Sequence, residues 1–126
     1  MRFKNLLLID DDEDDQELFI EAAREISGDI RVTVLPDAAI AIEKLINKTV
    51  TADVIFSDLN MPRMTGQQFL LEIKKQPDLK DIPVIIFSTS SHMHTMQLVK
   101  DFGAHEFITK PGLFHELVAT LRRLLV

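Results

Sequence analysis

Residues 6–12 read Leu-Leu-Leu-Ile-Asp-Asp-Asp, four apolar side chains in a row and then three carboxylates. An unbroken apolar run of this length suits a strand covered on both faces, where neither alternating set of side chains meets water. A second such run, Val54-Ile55-Phe56, is closed by Asp58. If the two runs are parallel strands lying side by side, their acidic ends form one negatively charged crevice. Like charges a few Å apart repel and raise one another's pKa, so the economical explanation is a divalent cation held there with a group that Asp58 attacks.

Outward from these runs, stretches of strand length alternate with stretches of helical period, the pattern of a parallel sheet with helices on both faces. The first strand is expected over residues 4–10, followed by a helix over about 14–25 whose stripe is Leu18, Ala22 and Ile26, with Ser27-Gly28 as its stop. A second strand over 30–35 alternates Val32 and Val34 with Arg31 and Thr33, and Pro36-Asp37 starts a helix with Ala38, Ala41, Ile42 and Leu45 on one face. Strand three is residues 54–57, and Gly66 opens a helix carrying Phe69, Leu70 and Ile73. Strand four is Val84-Ile85-Ile86-Phe87, and a helix over about 91–102 stops at Gly103. Residues 106–109 form a short fifth strand, and Phe114, Leu117, Val118, Leu121, Leu124 and Leu125 mark the closing helix.

Strands one, three and four are the unbroken apolar ones and belong at the centre, whereas the second alternates and the fifth is brief. Right-handed crossovers then favour the order 2-1-3-4-5, which makes strands one and three neighbours. Their junction is a topological switch point, where ligands bind outside the carboxyl ends of the strands. Asp10, Asp11 and Asp58 fall there, with Ser88 after strand four and Lys110 after strand five.

Composition narrows the function further. The chain has 126 residues with 46% hydrophobic content, enough for one domain with a real core and little room for a second. A net charge of -6 makes nucleic-acid binding an unlikely main activity, since that needs clustered Lys and Arg, and Arg122-Arg123 is too short to change it. No cysteine is present, which excludes disulfides, thiol nucleophiles and Cys-type zinc sites and fits a reducing compartment. The amino terminus has only four consecutive apolar residues before the aspartates, too few for a signal peptide or membrane span, so a cytoplasmic protein is expected.

Aspartate oxygens are hard ligands suited to Mg2+, which is held by one or two carboxylates plus water and phosphate oxygens. Asp11 with Asp58, and Asp10 through water, meet that description. Lys110 supplies a compact positive charge that can pair with Asp58 in the empty site and with a phosphoryl oxygen in the filled one. Ser88 offers a hydroxyl donor to another phosphoryl oxygen. An aspartate carboxylate can attack a phosphoryl group to give an acyl phosphate, the protein's part being positioning and charge neutralisation.

Over its whole length the chain resembles response-regulator receiver domains. The matching pieces are Leu7-Leu8-Ile9-Asp10-Asp11, Ser57-Asp58-Leu59-Asn60-Met61-Pro62-Arg63-Met64-Thr65-Gly66, residues 83–88, and Phe107-Ile108-Thr109-Lys110-Pro111, in the right order and spacing. The resemblance implies a flavodoxin-like 2-1-3-4-5 sheet, so agreement with the strand order above is not independent. By the same resemblance Asp58 is the phosphoacceptor, Asp10, Asp11, Asp58 and the Asn60 backbone carbonyl handle the metal, Ser88 is the switch hydroxyl, Phe107 the switch aromatic and Lys110 the phosphate contact. Phe107 stands where a tyrosine is often found, so the ring acts without a hydroxyl. Asn60 and Ser90 lie near the family's entry point for attacking water and should tune acyl-phosphate lifetime. The Lys110–Pro111 bond is expected to be cis.

The implied partners are a histidine kinase or histidine phosphotransfer protein as donor and a downstream protein, with no nucleic acid or membrane and with the chain a monomer or weak homodimer. The chain is expected to be a phosphoacceptor with possible self-catalysed phosphotransfer and autodephosphorylation, and not otherwise an enzyme. The run Ser88-Thr89-Ser90-Ser91 and the loop over 77–81 are similar to those of single-domain regulators paired with phytochrome-like kinases.

Blander readings apply elsewhere. Asp12, Glu13, Asp14 and Asp15 are expected to be a solvated helix cap, and Gly66 a point of close chain approach. His92-Met93-His94 lacks the matching ligand spacing of a metal site. Asp10, Asp12, Asp14 and Glu21 match four EF-hand positions, but Asp15 holds the glycine position and a strand precedes the loop in place of a helix. A haloacid-dehalogenase-like phosphatase using Asp10 would find Glu13 where Thr or Val belongs and would leave Asp58 idle. A phosphorylation-independent adaptor is the third reading.

Overall fold

The computed structural model describes residues 2–89 and 92–126. The elements run β1 (Asn5–Ile9), α1 (Glu13–Ile26), β2 (Arg31–Leu35), α2 (Ala38–Ile46), β3 (Val54–Ser57), α3 (Gly66–Lys74), β4 (Val84–Ser88), α4 (Met93–Asp101), β5 (Glu106–Thr109) and α5 (Phe114–Leu125). All five strands are parallel in one sheet of order β2-β1-β3-β4-β5, the flavodoxin-like arrangement expected. β1 and β3 are neighbours, with Leu6 opposite Val54 and Ile9 opposite Ser57, so the residues just past both strands emerge together.

Side chains alternate across a strand, and the central strands use both faces. Leu7, Ile9, Ile55 and Ile86 pack with α2, α3 and Val99 on one side, joined by Phe107. Leu6, Leu8, Val54, Phe56, Ile85 and Phe87 pack with α1 and α5 on the other. This is the physical reason for the unbroken apolar runs. On the second face Phe19 sits edge-on to Phe56, with ring centroids 5.0 Å apart, and Phe87 closes the group at 6.0 and 6.3 Å.

The α1 stripe differs from the expected one. Leu18 is 43% exposed, and the buried residues are Phe19, Ala22 and Ala23, with Ile26 half-buried. Each residue turns a helix by about 100°, so the face centred on Phe19 and Ala22 swings Leu18 away from the sheet. Phe114, at the start of α5, is likewise 37% exposed, while Leu117, Leu121, Leu124 and Leu125 are buried. The helix starts use local capping: Asp12 accepts from the Asp15 N–H, Asp37 from the Ile40 N–H, and Thr65 with Gln68 forms a reciprocal capping box. Gly103 ends the α4 segment at φ +102°, a left-handed conformation open to glycine. The expected start of that helix at Ser91 lies outside the described residues.

No cis peptide occurs among the described residues, so Lys110–Pro111 is trans, contrary to the expectation from resemblance. Trans is the intrinsically favoured isomer, by about 0.5–1 kcal/mol before proline. None of the described helices is long and apolar enough to cross a membrane.

Candidate functional site

The site lies past the carboxyl ends of the strands. The Asp58 N–H donates to the Ile9 carbonyl at 2.9 Å and the Asp10 N–H to the Leu35 carbonyl at 3.2 Å, so sheet pairing carries one residue beyond each strand and fixes both aspartates. Asp10 is 1% exposed. Its Oδ1 accepts from the Asp12 N–H at 3.0 Å, its Oδ2 from Lys110 Nζ at 2.8 Å, and its carbonyl from Gln16 Nε2 at 2.6 Å. Asp58 Oδ1 accepts from the Leu59 N–H at 2.7 Å, and its Oδ2 lies 3.3 Å from Lys110 Nζ.

Gly66 explains how the chain beyond Asp58 turns so tightly. A Cβ at this position would sit 2.2 Å from the Asp58 carbonyl oxygen, and the Gly66 N–H donates to the Leu59 carbonyl at 2.9 Å. The close approach expected of this glycine is thus made onto the backbone of residue 58 itself.

Lys110 reaches the crevice from β5, its N–H donating to the Ser88 carbonyl at 2.8 Å. The side chain is almost buried, and its ammonium meets Asp10 Oδ2 and Asp15 Oδ2 at 2.8 Å each and Asp58 Oδ2 at 3.3 Å. Burial opposes its charge, but hydrogen bonds to Asp10 and Asp15 and the charges of Asp10 and Asp58 outweigh that and hold its pKa well above the ordinary lysine range. Burial pushes the Asp10 carboxyl up, against the opposing pull of Lys110 and the Asp12 N–H. The two directions agree physically, because one ammonium is shared among several carboxylates.

Asp10, Asp11 and Asp58 each turn an oxygen into the crevice, and the three oxygens lie within 4.8 Å of one another. With Lys110 spread over three partners, negative charge remains in excess. Hard oxygen donors at this spacing, with Asp11 exposed to solvent, fit a divalent cation. Asn60 is exposed, two residues past Asp58. Ser88 is buried at the end of β4, and Phe107 is 7% exposed, packed inward with the α2 and α3 side of the core. His92 and His94 are exposed and belong to no such cluster among the described residues. Ser90, expected near the path of attacking water, lies outside the described residues.

Two contributors were missed in the sequence. Asp15 does more than cap a helix, since it binds Lys110, and Gln16 ties α1 to the Asp10 carbonyl. A readable signal existed: helical side chains tilt toward the amino terminus, so first-turn residues of α1 point back over the end of β1.

A parallel sheet of this order, with acidic strand ends converging on a lysine from β5, defines the response-regulator receiver class. The sequence profile of the response regulator receiver domain matches residues 6–122, and the chain belongs to that family. It is therefore a receiver domain of a two-component system. It is similar to the two-component response regulator ORR8 of Oryza sativa, 32% identical over 88% of this chain and 89% of the relative. It is also similar to the response regulator Rcp1 of Synechocystis, 30% identical over 85% of this chain and 76% of Rcp1. Among solved structures, the phosphorylated cyanobacterial phytochrome response regulator RcpA superposes with a TM-score of 0.88 at 28% identity, covering 96% of this chain and 90% of that one. The Mn2+-bound form of Rcp1 superposes at 0.86 and 27% identity, covering 96% and 91%.

Proposed function

We propose that Asp58 accepts a phosphoryl group from a phosphohistidine of a histidine kinase or histidine phosphotransfer protein, in the cytoplasm and with Mg2+ present. The observation that carries this is the convergence of Asp10, Asp11 and Asp58 with Lys110 at one switch point. An Asp58 oxygen attacks phosphorus, the phosphorus–nitrogen bond breaks, and the electron pair returns to the imidazole, which takes up a proton. Asp10, Asp11 and Asp58, with the Asn60 carbonyl, would hold Mg2+, whose charge offsets that of the phosphoryl oxygens. Lys110 neutralises one phosphoryl oxygen, and the Ser88 hydroxyl donates to another. The Mn2+-bound form of Rcp1 and the phosphorylated form of RcpA support this reading by similarity.

The chain acts as a switched phosphoacceptor, with no catalytic role beyond promoting its own phosphotransfer and dephosphorylation. Phosphorylation draws Ser88 and Lys110 toward the new charge and reshapes the face of α4, β5 and α5 through Phe107, shifting a two-state population toward partner binding. Phe107 is already buried, so its part is a change of packing.

Acetyl phosphate with Mg2+ is expected to label the native protein and to leave Asp58→Asn unlabelled. In the same sample, NMR shifts should appear at Phe107 and across residues 92–102. Full labelling of Asp58→Asn would end the phosphoacceptor reading, and phosphomonoester turnover that needs Asp10 but survives loss of Asp58 would favour a phosphatase. Shifts confined to the crevice would remove the switch, and partner binding indifferent to Asp58→Asn and to Mg2+ would favour a plain adaptor.

A further inference from the structure

The phosphoacceptor reading uses Asp10, Asp11, Asp58, Lys110 and Ser88 and leaves Asp15 without a task, yet Asp15 makes one of the two shortest contacts to the lysine. Lys110 Nζ has three protons and three carboxylate neighbours: Asp10 and Asp15 at 2.8 Å, and Asp58 at the longer 3.3 Å. The Lys110 side chain is 9% exposed, so these carboxylates are its main partners and set where its charge points. Asp15 is held in place from below, because its N–H donates to the Asp12 cap at 3.0 Å, and its own side chain is 36% exposed, at the mouth of the crevice.

We propose that Asp15 is a positioning residue that draws the Lys110 ammonium off Asp58, so that the Asp58 oxygen stays open to the cation and to phosphorus. Without Asp15 the third ammonium proton turns to Asp58, shortens the 3.3 Å contact and competes there with the metal. Asp15 thus acts through Lys110 and touches neither the cation nor the phosphoryl group. This rests on the phosphoacceptor reading for its purpose, but its physical content is measurable without any phosphorylation.

The test is a double-mutant cycle on Mg2+ affinity, measured by calorimetry on the intact chain. Asp15→Ala is expected to weaken Mg2+ binding about 3- to 10-fold, in the range that coupled neighbours show. Asp14→Ala removes the same charge from the same turn at an exposed position and is expected to change affinity less than about 2-fold, as a screened surface charge does. In a Lys110→Ala background, Asp15→Ala should shrink to the size of the Asp14 effect. The Lys110 ammonium signal in 1H–15N NMR is expected to be sharp in the native protein, to broaden or shift in Asp15→Ala and to stay in place in Asp14→Ala. Asp15→Asn, which keeps the side chain's shape, runs through the same cycle as a safeguard for folding and should move in the same direction. Unchanged Mg2+ affinity and an unmoved ammonium signal, or an Asp15 effect that persists undiminished without Lys110, would overturn the proposal. Failure of Asp58 to take label from acetyl phosphate would instead strike only the phosphoacceptor reading.

Discussion

Residue 66 shows how little freedom surrounds Asp58. The hydrogen of Gly66 is all that separates its Cα from the Asp58 carbonyl, and a methyl group there would meet backbone at 2.2 Å and, on Leu59 Cα, at 3.0 Å. Backbone cannot rotate aside as a long side chain can, so the turn itself must move. Gly66→Ala is expected to cost about 1–3 kcal/mol, as overpacking does. It should also lower acetyl phosphate labelling, because Asp58 moves with its carbonyl. Urea unfolding and labelling on one preparation check both effects, and a stable, normally labelled variant would contradict the tight approach. At this scale Asp10, Asp11, Asp58 and Lys110 were legible from the sequence, because each sits directly after a run whose period marks it as a strand. Asp15 was only partly so: the backward tilt of first-turn side chains aims it at the end of β1, but its partner is 95 positions away.

Elements are held in place largely at their ends. Asp37 caps α2 through the Ile40 N–H at 3.0 Å and also takes the Arg63 guanidinium through Nε at 2.8 Å, tying the start of α2 to the loop that carries Asn60. The Ile40 N–H holds the Asp37 carboxyl below the usual carboxylate range, against partial burial and with help from Arg63. A depressed pKa stabilises the fold above the unfolded-state value and loses that contribution as pH falls through the folded one. Asp37→Ala should therefore cost about 1 kcal/mol near neutral pH, most of it from the cap, since Arg63 is exposed and such pairs contribute little. Thermal melts should show the gap to the native protein narrowing as pH drops below about 4. A gap independent of pH would mean the charge plays no part. Element boundaries were mostly readable, with β3, β5 and α5 where periodicity put them. The buried stripe of α1 was not, because Leu18 and Phe19 are both apolar and only docking against Phe56 and Phe87 decides which turns inward.

For the molecule as a whole, the sheet is a rigid plate whose cost is a crowded acidic edge. A cation that binds only the folded state offsets that repulsion, adding about 1.4 kcal/mol when Mg2+ is tenfold above its dissociation constant. Mg2+ should therefore raise the melting temperature by roughly 4–6 °C, with chelation reversing the shift and Asp58→Asn reducing it. Scanning calorimetry with and without chelator checks this, and an unmoved midpoint at saturating Mg2+ would argue against a folded-state cation site. By itself the sequence determined the parallel sheet, its strand order and the carboxylates and lysine at its edge, because hydrophobic period and strand-end position are local properties of the chain. Only the tertiary structure decided that Lys110 is shared with Asp15 and that Leu18 faces outward. Those outcomes depend on which distant groups arrive within about 3 Å of one another, and hydrogen-bond and packing forces act only at that range.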